Sequence, residues 1–482
     1  MDTTRTWRDE HDALGVVAVP AERLWGAQTE RSRRHFAIGD PAAYRWPRGV
    51  IRALGLVKAA AAEANQRLGQ IDASVADLIA QGAAEVISGQ WDAEFPLGVF
   101  QTGSGTHTNM NANEVIANRA NQLAGGTLGA YRPVHPNDHV NRGQSSNDVF
   151  PAVMHLATLE ALHALEPAIR NLSAALAAHV PRWRDVPMLG RTHLQDATPI
   201  MLGDVVGSWT AQLDEAWERV AYARVGLYPL PLGGTAVGTG LNAHAEFGTR
   251  AIAALASATG YPLRQAANLP AALAAHDAMA AVSSALRGLA AVLFKIASDI
   301  RLYASGPRAG LGELRLPENE PGSSIMPGKI NPSQCEALTM VALHVFGCDA
   351  TVAIANAQGP LQLNVYKPVI LHNVLESARL LRDGATAFTA FCAVGLEAVP
   401  ERIEANLQAS LMLVTALVPH IGYERAAAIA LAAHRDGMTL REAATGAAGG
   451  VKAEDFDRWV RPAEMARPHA PAPDSTMRRS RP

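Results

Sequence analysis

The longest continuous pattern in the chain is a run of apolar residues at helical spacing. From Val149 to Arg382, Ala and Leu recur at one helix face, with few of the alternations that are typical of strands. This pattern predicts a long helical bundle. Several of the predicted helices carry apolar residues on more than one face, so their burial against other subunits is plausible.

One stretch of this region, Met279 to Ala297, is apolar enough to resemble a membrane span. Arg287 and Lys295 interrupt it, and charged side chains are costly inside a bilayer. We therefore expect a buried helix of the bundle.

The pattern breaks at a polar segment, Pro321-Gly-Ser-Ser-Ile-Met-Pro-Gly-Lys-Ile-Asn-Pro332, directly before another apolar helical run. Pro332 fits the first helical position and Asn331 the cap before it, which would place Lys329 at the positive end of a helix. Gly322 and Gly328 indicate a loop able to move over a ligand.

Ser323 in this segment is the candidate base. A serine hydroxyl acts as a base only if backbone N–H groups and a cation such as Lys329 stabilise its oxyanion in a dry pocket. The alternative is a mobile surface turn rich in Gly, Pro and Ser, because short motifs also occur by chance.

Three further segments favour a site for a small dianion. Thr102-Gly-Ser-Gly-Thr106 forms a hydroxyl-rich loop that enters a predicted helix, and it lacks the third glycine of a dinucleotide fingerprint. A helix cap would explain one hydroxyl, but it would not explain the asparagines that follow.

The second segment pairs His135-Pro-Asn-Asp138 with Ser145-Ser-Asn-Asp148, which precedes the long helical run. One side chain is enough for a cap, and the surplus favours ligand binding. In the third, Thr198 and Pro199 fit the cap and first residue of a helix, which leaves His193 in an extended stretch. A lone histidine is usually structural, but the polar residues around His193 make proton transfer plausible.

Together these segments resemble the class II fumarases of the aspartase/fumarase/argininosuccinate-lyase superfamily, from about Arg8 to Met465. The match includes Leu24-Trp-Gly-Ala-Gln-Thr29 and Pro231-Leu-Gly-Gly-Thr-Ala-Val-Gly-Thr-Gly240. The segments flanking the Ser323 loop, Glu318 to Pro321 and Asn331 to Glu336, are similar to fumarases rather than aspartases.

The resemblance implies a hydro-lyase that reversibly hydrates fumarate to L-malate, a step of the tricarboxylic acid cycle, without a metal or other cofactor. It implies that Ser323 removes the C3 proton of malate, that His193 transfers a proton through water, and that Glu336 pairs with that histidine. A second dicarboxylate site is implied at His135, Pro136, Asn137 and Asp138. The implied substrate-binding residues are Ser104, Gly105, Thr106, Ser145, Ser146, Asn147, Thr192, Ser324, Lys329, Ile330 and Asn331.

Four residues depart from the pattern that this family leads us to expect. They are His107, where a glutamine is common beside the first loop, Gly143, Cys348 and Gln362. None is a proposed catalytic group, but His107 is close enough to the predicted pocket to alter substrate range or pH response.

The family implies a mainly α, three-domain fold whose long central bundle packs into a tetrameric core, with each active site assembled from three chains. We expect a mostly helical N-terminal domain at 1–142 with the first substrate loop, the bundle at 143–400 and a small helical domain at 401–466. Residues 467–482 are rich in Pro, Arg and Ser, which predicts a disordered tail.

Composition and charge bear on the binding partners and the location of the protein. The net charge of −3 and the lack of a basic stripe argue against nucleic-acid binding, and three cysteines are too few for a disulfide framework or zinc site. The acidic first residues fit neither a secretory nor a mitochondrial leader, so we expect a cytoplasmic protein. Two alternatives stay open: a hydratase or ammonia lyase of the same fold acting on mesaconate or aspartate, and a non-enzymatic protein that retains the fold.

Overall fold

The computed structural model describes residues 6–447 and 449–467, and the predicted tail lies outside these residues except for Arg467. The described chain is mostly helical. Its helices, in chain order, are Ala27–His35 (α1), Pro41–Tyr44 (α2), Arg48–Arg67 (α3), Ala73–Ser88 (α4), Thr106–Leu123 (α5), Ser146–Ala177 (α6), Val180–Trp183 (α7), Leu202–Arg224 (α8), Phe247–Thr259 (α9), Leu269–Ala274 (α10), Asp277–Tyr303 (α11), Ser333–Asn356 (α12), Lys367–Phe388 (α13), Pro400–Ala409 (α14), Val418–Ile421 (α15), Tyr423–Asp436 (α16), Leu440–Thr445 (α17), Ala453–Trp459 (α18) and Pro462–Met465 (α19).

Strands are short and occur in pairs. Trp7–Asp12 (β1) pairs antiparallel with Gly15–Pro20 (β2), and Pro187–Thr192 (β3) pairs antiparallel with Gln195–Met201 (β4). Pro229–Leu230 (β5) runs parallel to Arg264–Gln265 (β6), and Leu314–Arg315 (β7) runs antiparallel to Glu397–Ala398 (β8).

The prediction of a helical bundle between Val149 and Arg382 is confirmed by the five long helices α6, α8, α11, α12 and α13. Apolar residues at helical spacing in these helices are buried: Leu159, Leu213, Leu286, Val345 and Leu381 are all fully buried. Burial of such side chains removes apolar area from water, which is the main term that stabilises a bundle.

Two helices, Asp277–Tyr303 and Ser333–Asn356, are long and apolar enough to cross a membrane. Polar contacts join these two helices to each other. Ser283 of α11 donates to Asp349 of α12 at 2.7 Å, and Arg287 of α11 forms an ion pair with the same carboxylate at 2.7 Å. These contacts fit the prediction that Met279 to Ala297 belongs to a bundle.

By compactness the chain divides into two units, each formed from separate stretches. The first contains residues 1–167, 216–290 and 341–382, and the second contains residues 168–215, 291–340 and 383–482. Within the second unit, helices α14 to α18 enclose an apolar cluster that includes Leu407, Leu417, Ile429 and Phe456. The domain limits at 142 and 400 stay predictions.

Candidate active site

The loop that carries Ser323 is closed at its base by backbone and side-chain hydrogen bonds. Gly322 N donates to Lys329 O at 2.9 Å, and Asn331 Nδ2 donates to Gly322 O at 2.5 Å. A Cβ at position 322 would lie 2.3 Å from Lys329 O, so this close approach requires glycine. The sequence from Gly322 to Asn331 therefore folds into a defined loop rather than an open turn.

Inside this loop, two backbone N–H groups point at the Ser323 hydroxyl oxygen. Ile325 N donates to Ser323 Oγ at 3.3 Å and Met326 N donates at 3.1 Å. Such donors favour a negatively charged oxygen. Ser323 is partly buried, whereas Ser324, Lys329 and Ile330 are exposed in the single chain.

The helix after the loop begins at Ser333, one residue later than predicted. Asn331 binds the loop carbonyl of Gly322 with its side chain, so its amide closes the loop as well as preceding the helix. Glu336 lies in the first turn and is exposed, while Cys335 beside it is buried.

His193 occupies the tip of a hairpin, so the prediction of an extended stretch followed by a helix at Thr198-Pro199 is wrong. Thr198 and Pro199 lie within β4, and the helix begins at Leu202. His193 and Leu194 form the two-residue turn, with φ of 57° and 58°. Positive φ at both positions matches the twist of a tight hairpin, but it strains residues other than glycine.

A buried ion pair anchors this hairpin. Arg191 Nη1 and Nη2 donate to the two carboxylate oxygens of Glu313 at 2.8 and 2.9 Å, and Asn406 Nδ2 donates to the same carboxylate at 2.9 Å. The side chain of Glu313 is only 1% exposed. Sequence reasoning did not identify Glu313, because its partner Arg191 lies more than a hundred residues away and no local pattern links them.

Within the described residues, no hydrogen bond joins His193 to Glu336. Thr192 and His193 are exposed in the single chain. The pairing of His193 with Glu336 therefore stays a prediction.

The loop Thr102 to Thr106 belongs to the first unit and leads into helix α5. Gly105 is the residue before α5, with φ of 79° and no side-chain cap. Ser104 Oγ and Thr106 Oγ1 hydrogen-bond to each other at 2.8 Å. Neither hydroxyl caps the helix, so the cap explanation does not account for them, and their position at a helix N-terminus suits an anion.

The asparagines that follow this loop are mostly structural. Asn111 Nδ2 donates to Glu94 O at 2.9 Å, Asn118 Nδ2 to Leu24 O at 2.8 Å, and Asn121 Nδ2 to Val134 O at 2.9 Å. Their density therefore reflects hydrogen bonds to buried carbonyls rather than ligand binding. Asn109 differs, because it donates to the hydroxyl of Ser146 at 3.1 Å.

The sequence predicts that one residue of Ser145 to Asp148 caps helix α6, and in the structure this residue is Ser145. Its Oγ accepts from Asn147 N at 3.2 Å, and Asp148 Oδ1 accepts from Ser145 N at 3.0 Å. The other oxygen of Asp148 accepts from Gly233 N and Thr235 N, both at 2.9 Å. Burial raises the pKa of Asp148 to about 6, and the backbone hydrogen bonds act in the opposite direction.

The four residues of the predicted second dicarboxylate site form the start of a short helical turn, Pro136–Val140. His135 Nδ1 accepts from Asn137 N at 3.2 Å and from Asp138 N at 3.1 Å. Pro136 is buried, whereas Asn137 and Asp138 are exposed.

The structure shows the surroundings of His107 and the backbone conformation of Gly143, two of the residues that depart from the family pattern. His107 lies in the first turn of α5, and its Nδ1 hydrogen-bonds to Ser32 Oγ at 2.9 Å. Burial lowers the pKa of His107, and the nearby His35 adds to the shift. Gly143 has φ of 68°, a left-handed conformation that glycine adopts without strain and few other residues tolerate.

Among the described residues, no group of His, Cys, Asp or Glu could hold a metal ion. A cavity of about 770 Å³ lies in the first unit and is lined by Trp46, Glu160, His344 and His372 among others. It contains none of the predicted site residues.

Comparison with known proteins shows the family to which the chain belongs. The family model described as "Lyase" matches residues 15–347, and the model described as "Fumarase C C-terminus" matches residues 413–467. A class II fumarate hydratase of Thermosynechococcus vestitus is 57% identical over 460 residues, which cover 95% of this chain and 97% of that protein. A second, from Pseudomonas syringae pv. tomato, is 55% identical over 459 residues, with coverage of 95% and 98%.

Solved structures give the same result. A class II fumarase from Schistosoma mansoni has a TM-score of 0.93 and 40% identity, and the match covers 96% of this chain and 100% of that one. A 3-carboxy-cis,cis-muconate lactonizing enzyme from Pseudomonas putida, at 22% identity and a TM-score of 0.69, shares the fold alone. The chain is a member of the lyase family that includes the class II fumarate hydratases, and it belongs with those hydratases.

Proposed function

We propose that this protein is a fumarate hydratase, which adds water reversibly to fumarate to give L-malate by acid–base catalysis. The observation that carries the proposal is the convergence of Ile325 N and Met326 N on Ser323 Oγ. A hydroxyl held in this way is suited to become an oxyanion. A serine oxyanion is a strong base, and a strong base is needed to remove a proton from carbon.

In the malate-to-fumarate direction, Ser323 takes the C3 proton, and the adjacent carboxylate gains negative charge as the proton leaves. Lys329, Asn331 and the N-terminal N–H groups of α12 stabilise that charge. Because the charge develops only along the reaction path, this stabilisation accelerates the chemical step more than it tightens binding of malate.

His193 transfers the second proton to the departing hydroxyl through a bound water, and Glu336 of the assembled site pairs with it. The substrate carboxylates are held by Ser104, Thr106, Ser146, Asn147, Thr192 and Ser324. The backbone at Gly105 and Ile330 and the cap residue Ser145 shape the same pocket. The turn from His135 to Asp138 binds a second dicarboxylate.

The active enzyme is a homotetramer, and each site takes residues from three chains. This explains why His193 and Lys329 are exposed in the single chain and why no hydrogen bond joins His193 to Glu336 there, among the residues described. The cytoplasm is the proposed location.

The test is a comparison of substrates for the purified protein. Fumarate, mesaconate and aspartate are supplied separately, and the absorbance of the unsaturated acid is followed. We expect fumarate to have the highest kcat/KM by at least about a hundredfold, because a pocket shaped for one substrate rejects an added methyl or amino group. A fumarate rate no better than the others would contradict the proposed substrate.

Ser323→Ala tests the base. We expect kcat to fall by about a thousandfold or more, with unchanged circular dichroism and native mass, because the variant lacks the group that accepts the proton. Ser88→Ala is the control, since Ser88 is exposed at the end of α4 and should leave kcat unaltered. Activity of Ser323→Ala within a few-fold of the wild type would exclude Ser323 as the base.

A further inference from the structure

Lys58 in α3 is fully buried, and the mechanism above does not use it. Its Nζ donates to Asn141 Oδ1 and to Gln144 Oε1, both at 3.0 Å. No salt bridge to a carboxylate is formed within the described residues, although Asp148 attracts the ammonium through space. Burial lowers the pKa of Lys58 to about 7. Removing an amine from water at this position costs free energy, and an apolar side chain would fill the same space without that cost.

In its protonated form, which the Asp148 carboxylate favours, the Lys58 side chain only donates hydrogen bonds, and this fixes the direction of the bonds beyond it. Asn141 must turn its oxygen toward Lys58. The same oxygen accepts from Asn109 Nδ2 at 3.2 Å. Asn109 must therefore turn its nitrogen toward Asn141, and its Nδ2 also donates to Ser146 Oγ at 3.1 Å.

Because Ser146 Oγ accepts this bond, its own proton remains free to donate. A substrate carboxylate only accepts, so a hydroxyl with an uncommitted proton is the required partner. The other orientation of the Asn109 amide would bring its oxygen to Ser146, take up that proton and oppose the oxygen of Asn141.

The surroundings of Asn109 Oδ1 support this orientation of the Asn109 amide. It is buried and has no hydrogen-bond partner among the described residues. An unpaired buried acceptor is destabilising, and the orientation that leaves it unpaired persists only where the rest of the network requires it.

We propose that Lys58 is a positioning residue of the dicarboxylate site: its donor-only ammonium sets the hydrogen-bond direction through Asn141 and Asn109, so that Ser146 presents its proton to a substrate carboxylate. The inference rests on the proposed role of Ser146 in holding the substrate. Lys58 touches no substrate atom. The ammonium also places positive charge beneath the Ser145–Asn147 segment, and arrival of a dianion favours its protonated form.

A double-mutant cycle tests this relay with Lys58→Met, Ser146→Ala and the combination of both, as assembled full-length protein. The measurements are kcat and KM for fumarate, and the Kd for succinate by calorimetry. We expect Lys58→Met to raise KM and Kd by about tenfold and to change kcat less. Without the ammonium, the hydroxyl of Ser146 no longer reliably donates its hydrogen bond to the substrate carboxylate. In the Ser146→Ala background the same change should have an effect below about twofold, because the end of the relay is absent.

The proposal is overturned if the fold-change in Kd of the double variant equals the product of the fold-changes of the two single variants. It is also overturned if folded Lys58→Met has an unchanged Kd. Lys58→Arg and Lys58→Gln provide a second test if Lys58→Met does not assemble. Arginine keeps a donor-only group whereas glutamine does not, so the Kd of Lys58→Arg should be lower than that of Lys58→Gln, and the reverse order contradicts the relay. Succinate binding needs no turnover, so a wild-type protein that binds succinate but does not hydrate fumarate would refute the proposed function separately.

Discussion

At the scale of single residues, the His193–Leu194 turn holds two residues other than glycine at positive φ, and one of them is the proposed proton-transfer residue. Leu194 has φ of 58° and is 73% exposed, so packing within the chain does not account for the strained conformation. Backbone strain of this kind costs about 1 kcal/mol or more and persists where a side chain must be held in one direction. We expect that the side chain held here is that of His193.

Leu194→Gly tests this interpretation. Glycine relieves the strain but loosens the turn, so kcat should fall by about fivefold or more while the melting temperature stays the same or rises. Leu194→Asn is the matched control, because asparagine tolerates the left-handed conformation and restricts the backbone more than glycine; its kcat should stay within about twofold of the wild type. Equal kcat values for Leu194→Gly and the wild type would show that the turn is not a constraint on catalysis.

At the scale of elements, helix α1 is capped from a distance. Gly26 precedes the helix and provides no side chain, yet the carboxylate of Glu114 in α5 accepts from Gly26 N at 2.9 Å, Gln28 N at 2.8 Å and Thr29 N at 3.1 Å. Thr29 Oγ1 donates to the same group at 2.6 Å. Glu114 thus joins two helices and satisfies the N–H groups that a helix start leaves free.

Glu114→Ala should reduce the free energy of unfolding by about 3 kcal/mol, because it leaves several buried donors without an acceptor. The measurement is the urea midpoint, followed by circular dichroism. Glu160→Ala is the comparison: Glu160 pairs with Arg52 at 2.9 Å on the surface, with both side chains roughly two-fifths exposed, and its loss should cost less than about 1 kcal/mol. Similar midpoints for the two variants would contradict the capping role.

The sequence allowed prediction of the long helices and the Ser323 loop, because both depend on local patterns. Apolar spacing determines α6, α11 and α12, and the glycines and prolines around Ser323 determine a loop before a helix. The hairpin at His193 was misjudged, since Thr198-Pro199 reads equally well as a cap. Lys58 and Glu114 could not be assigned, because their roles come from contacts between residues more than eighty positions apart.

At the scale of the whole molecule, the proposed site residues are distributed over the two units. Ser104, Thr106 and Ser146 lie in the first unit, and His193 and Ser323 lie in the second. Helix α12 also carries large apolar side chains on its exposed face: Met340 is 63% exposed, Leu343 56% and Ile354 67%. Such a surface on a bundle helix favours burial against other copies of the chain.

Hybrid assemblies give the sharpest test of shared sites. Ser323→Ala and His193→Asn are each expected to be inactive as assemblies of one variant. If the two residues of one site come from different chains, random reassembly of an equal mixture gives an intact pair at about a quarter of the sites, and about a quarter of wild-type activity should return. If a single chain supplied both residues, every site would keep one defect and the mixture would stay inactive. Mixing without reassembly is the control, since each assembly then keeps its own defect. Recovery that depends on reassembly would therefore establish that Ser323 and His193 act from different subunits.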